Sequence, residues 1–118
     1  MNKTFNSIGT MSGTSFDGID ISLCTTDGQD IFKNHINLYQ QFDNQTKKDL
    51  KKLKNSIKNH EDLAKIKKTK LFKEIEDKVT NLHIKLIKEL ILQSRDNIDL
   101  IGFHGITLFH DAKSKFTF

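Results

Sequence analysis

Apolar and polar residues alternate at both ends of this chain, while through its middle apolar residues recur every three to five positions, so strands are expected to flank helices. Thr4–Met11 and Gly18–Thr25 read as two strands joined by a glycine-bearing turn. Asp17-Gly18 is a favoured hairpin dipeptide, because both positions tolerate positive φ. Thr26-Asp27-Gly28-Gln29-Asp30 signals a second turn, after which Ile31–Phe42 alternates loosely. Ile36, Leu38 and Gln40 fall on one side of it and Asn37, Tyr39 and Gln41 on the other, completing a three-stranded antiparallel meander.

The period then changes. Asp43 or Asn44 can cap a helix in which Leu50, Leu53 and Ile57 share a face. Asn59-His60 marks a break, and Glu61 and Asp62 place acid in a new first turn, where the macrodipole favours it. From Leu63 through Ile66, Leu71, Ile75, Val79, Leu82 and Leu86 to Leu90 a single apolar stripe predicts one long second helix. All six glycines lie at positions 9, 13, 18, 28, 102 and 105, and there is no proline, so the middle of the chain carries no strong breaker.

Ile98-Asp99-Leu100-Ile101-Gly102-Phe103 is nearly continuous in apolar character, the pattern of a strand buried on both faces. Thr107-Leu108-Phe109 starts another strand, Asp111–Lys115 is a turn, and Phe116-Thr117-Phe118 begins a further strand. The expected layout is α/β, with a mixed sheet in the chain order β-β-β-α-α-β-β. Strands occupy about 4–42, helices about 44–94 and strands about 98–118, with the last strand cut in mid-element, as in a truncated domain.

Composition narrows the class. The 118 residues are 36% hydrophobic and 29% charged, ordinary for one globular domain. The opening Met1-Asn2-Lys3-Thr4-Phe5-Asn6-Ser7 has no apolar run of the kind a secretory leader needs, and no segment matches a membrane span. The lone Cys24 reads as a buried strand residue and excludes a disulfide framework. A soluble, cytoplasmic protein is expected. The net charge of +4 is uneven: residues 44–95 hold fifteen Lys or Arg against seven Asp or Glu, and the other positions hold four against eight. Such helices present either a solvated basic face or a surface for nucleic acid, and the scarcity of interleaved aromatics favours the former.

Two segments carry candidate chemistry. Ile8-Gly9-Thr10-Met11-Ser12-Gly13-Thr14-Ser15-Phe16-Asp17-Gly18-Ile19-Asp20 packs glycines, hydroxyls and two aspartates between apolar runs. Backbone N–H groups and hydroxyls on such a turn suit phosphate, and an aspartate can reach Mg²⁺ through water. A plain tight turn accounts for the same residues, and Asp20 can close the turn or serve as a ligand. The lysine of a Walker loop is missing after Gly13. In the second segment, His104 stands between Gly102 and Gly105 at the end of an apolar strand, where α/β folds place ligands. It is either a structural histidine or one that touches substrate, and a metal held with His110 and Asp111 is disfavoured by the spacing. His35, His60 and His83 lack a partner cluster in sequence and read as surface or local-packing residues.

The run Ile8–Asp20 closely resembles the amino-terminal signature of the anhydro-N-acetylmuramic acid kinases, and Ile101-Gly102-Phe103-His104-Gly105-Ile106-Thr107-Leu108-Phe109-His110 resembles a second motif of that family. The resemblance implies an actin-like, sugar-kinase (ribonuclease H-like) ATPase lobe, the first part of a two-lobe enzyme covering about a third of the family's length. It implies ATP and Mg²⁺ as cofactors, with Gly13, Thr14, Ser15, Phe16, Asp17, Gly18, Ile19 and Asp20 at the ATP phosphates, Asp17 reaching the metal through water, and His104 and Gly105 near the sugar. The reaction implied is phosphorylation of 1,6-anhydro-N-acetylmuramic acid with hydrolytic ring opening, a step of peptidoglycan recycling and amino sugar metabolism. The family's general-base aspartate lies in a later motif, so this stretch alone is expected to be inactive and to need the remainder of the kinase or a homodimer partner. Ile106 departs from the family, which has glutamine there, and weakens the sugar assignment at the His104 turn. Outside the family, the rival expectations are a small basic nucleic-acid-binding module and an inactive remnant.

Overall fold

The computed structural model describes residues 3–118. The leader assignment at Met1 and Asn2 therefore lies outside the described residues. β1 (Phe5–Met11), β2 (Gly18–Thr26) and β3 (Phe32–Gln41) form the expected antiparallel meander. Alternation fixes which face is covered. Ile8, Leu23 and Ile36 make one cross-strand row and Thr10, Ile21 and Leu38 the next, all toward the helices. Gly9, Ser22 and Asn37, then Met11, Asp20 and Tyr39, make the opposite rows, which stay mostly exposed. A sheet covered on one face is the usual outcome for antiparallel strands with clean alternation.

Three helices cover that face where the sequence predicts two: α1 (Asn44–Ser56), α2 (His60–Ile66) and α3 (Lys70–Ser94). The stripe from Leu63 to Leu90 is broken between Ile66 and Leu71, the one five-residue step near its start. There Thr69 N–H closes onto Ile66 O at 2.9 Å, and Thr69 Oγ1 then accepts the Phe72 N–H at 3.2 Å as the N-cap of α3. Asp43 caps α1 by accepting the Thr46 N–H at 2.7 Å, and Asn59 caps α2 by accepting the Asp62 N–H at 2.8 Å. That cap bond holds the Asp43 carboxyl below its ordinary pKa. Leu50 and Leu53 of α1 and Ile75, Leu86 and Leu90 of α3 join Ile8, Ile19, Ile21 and Leu23 of the sheet in one core.

β4 (Leu100–Gly102) pairs parallel to β1, giving the sheet order β3-β2-β1-β4 and making the sheet mixed. The expectation that this strand is buried on both faces is not met: Leu100 and Ile101 are 55% and 51% exposed. Among the described residues β4 has a neighbour on one side only, so its apolar character has nothing to pack against there. Its start is tied down by Asn6, whose backbone N–H donates to Asp99 Oδ2 at 2.8 Å and whose side-chain amide donates to Asn97 O at 3.0 Å.

The strand expected to start at Thr107 is irregular through Phe109; the ladder begins at His110, three residues later. β5 (His110–Asp111) and β6 (Phe116–Thr117) form a separate hairpin, with Phe109 and Phe118 bonding across its base. The hairpin docks on α2 through His60, whose Nε2 lies 3.2 Å from Asp111 Oδ2 and whose ring packs against Phe109 and Phe116. His60 therefore has the partner cluster that its sequence neighbourhood does not reveal. Ser114 first and His60 second hold the Asp111 carboxyl below the usual range. Cys24, expected to be buried, is half-buried on β2 opposite Ser7.

Candidate functional site

The parallel pairing of β1 with β4 sets up the site. Because the two strands run the same way, the segments that follow them leave the sheet at the same edge. Gly9 faces Gly102 in the ladder, and two residues further on the His104 N–H donates to Thr10 Oγ1 at 3.3 Å. The glycine-rich turn and the His104–Gly105 turn, 94 residues apart at that bond, are thereby adjacent at the carboxyl ends of two parallel strands. Open α/β sheets place ligands at such an edge.

Residues 12–17 connect β1 to β2. Gly13, Thr14, Ser15 and Asp17 are exposed, whereas Ser12, Phe16, Gly18 and Ile19 are buried. The Phe16 N–H closes the turn onto Gly13 O at 3.2 Å, and Asp17 O accepts the Phe42 N–H at 2.8 Å. Among the described residues, the N–H groups of Gly13, Thr14, Ser15 and Asp17 find no acceptor. The Asp17 and Asp20 carboxylates likewise take no side-chain partner. Free amides, two hydroxyls and an exposed carboxylate on one short segment are the donor set that a phosphate–Mg²⁺ group requires.

The conformational roles within the turn differ from expectation. No glycine of the turn has positive φ; the left-handed residue is Phe16, at φ 58°. A bulky side chain there is an outlier, sustained because the ring is buried to 2% exposure and carries the Lys54 ammonium 5.4 Å above its face. Gly18 is required for a steric reason: a Cβ would sit 2.3 Å from Gln40 O and 2.7 Å from Tyr39 Oη. Gly13 is the opposite case, since its nearest neighbour for a Cβ would be Ser15 Oγ at 3.6 Å, an ordinary contact. Asp20 lies opposite Met11 in the ladder on the uncovered face, one strand residue beyond the buried Ile19.

At the second motif, Gly105 adopts φ 75° and its carbonyl accepts from His104 Nδ1 at 3.2 Å, leaving an exposed imidazole beside the strand edge. His110 lies apart from His104, with Nδ1 bound to Thr117 Oγ1 at 2.7 Å. Among the described residues no group of three or more His, Cys, Asp or Glu gathers as a metal set. His83 is buried, its Nδ1–H donating to Val79 O at 2.7 Å and its ring packed edgewise on Phe103, the residue before His104, with ring centroids 4.8 Å apart. Burial holds the His83 imidazole below its ordinary pKa and leaves Nε2 without a partner.

Sequence inspection misses two lysines here, and the roles of two residues that it places within the first motif. Thr10 links the two motifs, and Ser12 places a buried hydroxyl without a partner at the root of the turn. Lys54 and Lys58, from the end of α1 and just beyond it, line a groove of about 400 Å³ together with Thr14, Thr107 and His110. Their contribution depends on how α1 packs, which leaves no local signature among so many lysines. No helix among the described residues is long and apolar enough to cross a membrane.

Comparison with known proteins places the chain in a family. The profile of the anhydro-N-acetylmuramic acid kinase family matches residues 5–118. An anhydro-N-acetylmuramic acid kinase of Pelagibacter ubique is 36% identical over 115 residues, covering 98% of this chain and 30% of that protein. Kinases of the same name from Rhodopseudomonas palustris and Brucella canis are each 32% identical over 114 residues, covering 93% of this chain and 30% of their own length. The chain thus spans about 30% of the length of the curated relatives it matches. With both motifs at one sheet edge and the match running from β1 to the final hairpin, the chain belongs to the anhydro-N-acetylmuramic acid kinase family, a family of phosphotransferases.

Proposed function

We propose that residues 1–118 form the phosphate-binding part of the amino-terminal lobe of a two-lobe, actin-like (ribonuclease H-like) cytoplasmic sugar kinase. The reaction assigned is phosphorylation of 1,6-anhydro-N-acetylmuramic acid by ATP with Mg²⁺, coupled to opening of the anhydro ring by water. ATP, water and the anhydro sugar become ADP and N-acetylmuramic acid 6-phosphate. In this reading the free amides from Gly13 to Asp17 and the Thr14 and Ser15 hydroxyls cradle the β- and γ-phosphates, and Asp17 holds a water of the metal. Phe16, Gly18 and Ile19 act from beneath, fixing the backbone on which the donors sit. Asp20 serves from the uncovered sheet face, and His104 and Gly105 approach the sugar. Phosphoryl transfer depends chiefly on positioning and charge stabilisation, which suits a rigid turn of unpaired donors.

The observation that carries the proposal is the set of unpaired N–H groups on an exposed turn whose backbone is pinned by a buried phenylalanine. The test is an amide NMR titration of the 118-residue chain with ATP–Mg²⁺ and, separately, with adenosine. ATP–Mg²⁺ is expected to move the signals of Gly13–Asp20, and adenosine to leave them in place. Movement confined to the lysines of α1–α3, equal for any polyanion and abolished by salt, would replace the kinase reading with nonspecific polyanion binding.

A further inference from the structure

The groove beside the phosphate turn has a chemistry of its own. Thr14 forms one wall, Lys54, Asn55 and Lys58 a second, and Thr107 and His110 a third, around about 400 Å³. No aspartate or glutamate lines it. Neither the Lys54 nor the Lys58 ammonium pairs with a carboxylate among the described residues, the Lys58 backbone N–H donating to Asp62 Oδ2 at 3.0 Å, and Lys54 is held over the Phe16 ring at the base of the turn. His110 lines the groove, with Nδ1 engaged by Thr117 Oγ1 at 2.7 Å. Two ammonium groups without a carboxylate partner, three neutral hydrogen-bonding side chains and an imidazole, with Ile57, Leu108 and Phe109 as the apolar part of the lining and no acid in it, form a site for an anion.

That anion is not assigned to the nucleotide, because the unpaired amides of Gly13–Asp17 already offer the phosphates a place on the turn itself. Thr14 belongs to both surfaces, so whatever fills the groove lies next to the transferred phosphate. A kinase needs its acceptor there. The acceptor named for the relatives is an acid, whose carboxylate is ionised at neutral pH. We propose that the groove between Thr14, Lys54, Lys58, Thr107 and His110 is the specificity subsite for the acceptor's carboxylate, with Lys54 and Lys58 as its counter-charges. This rests on the kinase reading above and adds to it the means of selecting an acidic sugar over a neutral one.

The experiment compares 1,6-anhydro-N-acetylmuramic acid with its neutral methyl ester, titrated into the 118-residue chain and into the Lys54→Gln/Lys58→Gln variant and followed by amide NMR. Exposed ion pairs contribute modestly, so losing both lysines is expected to weaken the acid by roughly 3- to 10-fold and leave the ester unchanged. Lys54→Arg/Lys58→Arg should keep the preference for the acid. Acid and ester bound equally well by the original chain would overturn the proposal. So would a double variant that loses affinity for ATP–Mg²⁺ but not for the acid, since the groove would then serve the nucleotide. If ATP–Mg²⁺ moves Gly13–Asp20 while the acid leaves the groove signals still, the subsite fails and the phosphate turn stands; the converse pattern keeps the subsite and removes the phosphate assignment.

Discussion

Replacing Phe16 by alanine and by glycine should reverse the usual order of those two residues. Phe16 is 2% exposed and sits at φ 58°, so its ring and its backbone pull in opposite directions. Removing a buried phenylalanine ring costs roughly 3–5 kcal/mol, a large part of the roughly 5–15 kcal/mol that holds a domain folded. Both variants share that loss, along with the cation–π contact to Lys54. They differ in backbone alone. At an ordinary position glycine is less stable than alanine by roughly 0.5–1 kcal/mol, through chain entropy. In the left-handed region alanine is strained by roughly 1–2 kcal/mol, and glycine is not. The balance leaves Phe16→Gly more stable than Phe16→Ala by about 0.5–1 kcal/mol. With a urea slope of roughly 1–3 kcal/mol per molar, the glycine midpoint should lie about 0.2–1 M above that of alanine. Urea unfolding of the two proteins, followed by circular dichroism with equal slopes, measures this. An alanine variant as stable as the glycine variant, or more so, would refute the claim that the turn is held in a strained conformation by its buried ring.

Further outcomes follow from the same geometry. Gly18→Ala drives a Cβ to 2.3 Å from Gln40 O, so it should destabilise the chain by roughly 1–3 kcal/mol in urea unfolding, whereas Gly9→Ala, with nothing within 4 Å, should stay within about 0.5 kcal/mol. Gly13→Ala should leave unfolding nearly unchanged and still weaken ATP–Mg²⁺ in the amide titration, because the added methyl sits beside the free N–H groups without a clash in the fold. Acidification should destabilise the chain partly through His83. Its folded pKa is lowered by burial, so the unfolded chain takes up the proton first, and stability present above about pH 6.5 declines as pH falls toward the lowered folded value. His83→Leu should flatten that part of a stability-versus-pH curve, and an unchanged slope would show that His83 is not its source.

Much of the frame is legible locally. The meander follows from alternation and from the Asp27-Gly28 turn, where Asp27 Oδ1 accepts the N–H groups of Gln29, Asp30 and Ile31. The caps at Asp43 and Asn59 are equally visible, since their side chains act within three residues. Local reasoning fails where a partner is distant or absent. The α2–α3 break depends on Thr69, a capping residue without the glycine or proline that usually announces one, and its sequence sign is the step from Ile66 to Leu71. β4 has the composition of a covered strand, and composition cannot say whether a cover is present. In the turn, the glycines suggest positive φ where Phe16 supplies it, because burial of a ring can outweigh a backbone preference. The demand for glycine at position 18 comes from Tyr39 and Gln40 across the sheet. The bond from His104 to Thr10, which brings the two motifs together, spans too much sequence for any pattern to reveal.

Whether the β1–β2 turn holds the phosphates of a nucleotide is decided by a crystal structure of this chain with Mg²⁺ and a non-hydrolysable ATP analogue. The β- and γ-phosphate oxygens are expected at about 2.7–3.2 Å from the backbone nitrogens between Gly13 and Asp17, with Asp17 facing a water of the metal. A nucleotide seated on the basic helices, or one that leaves those four N–H groups facing solvent, would contradict it.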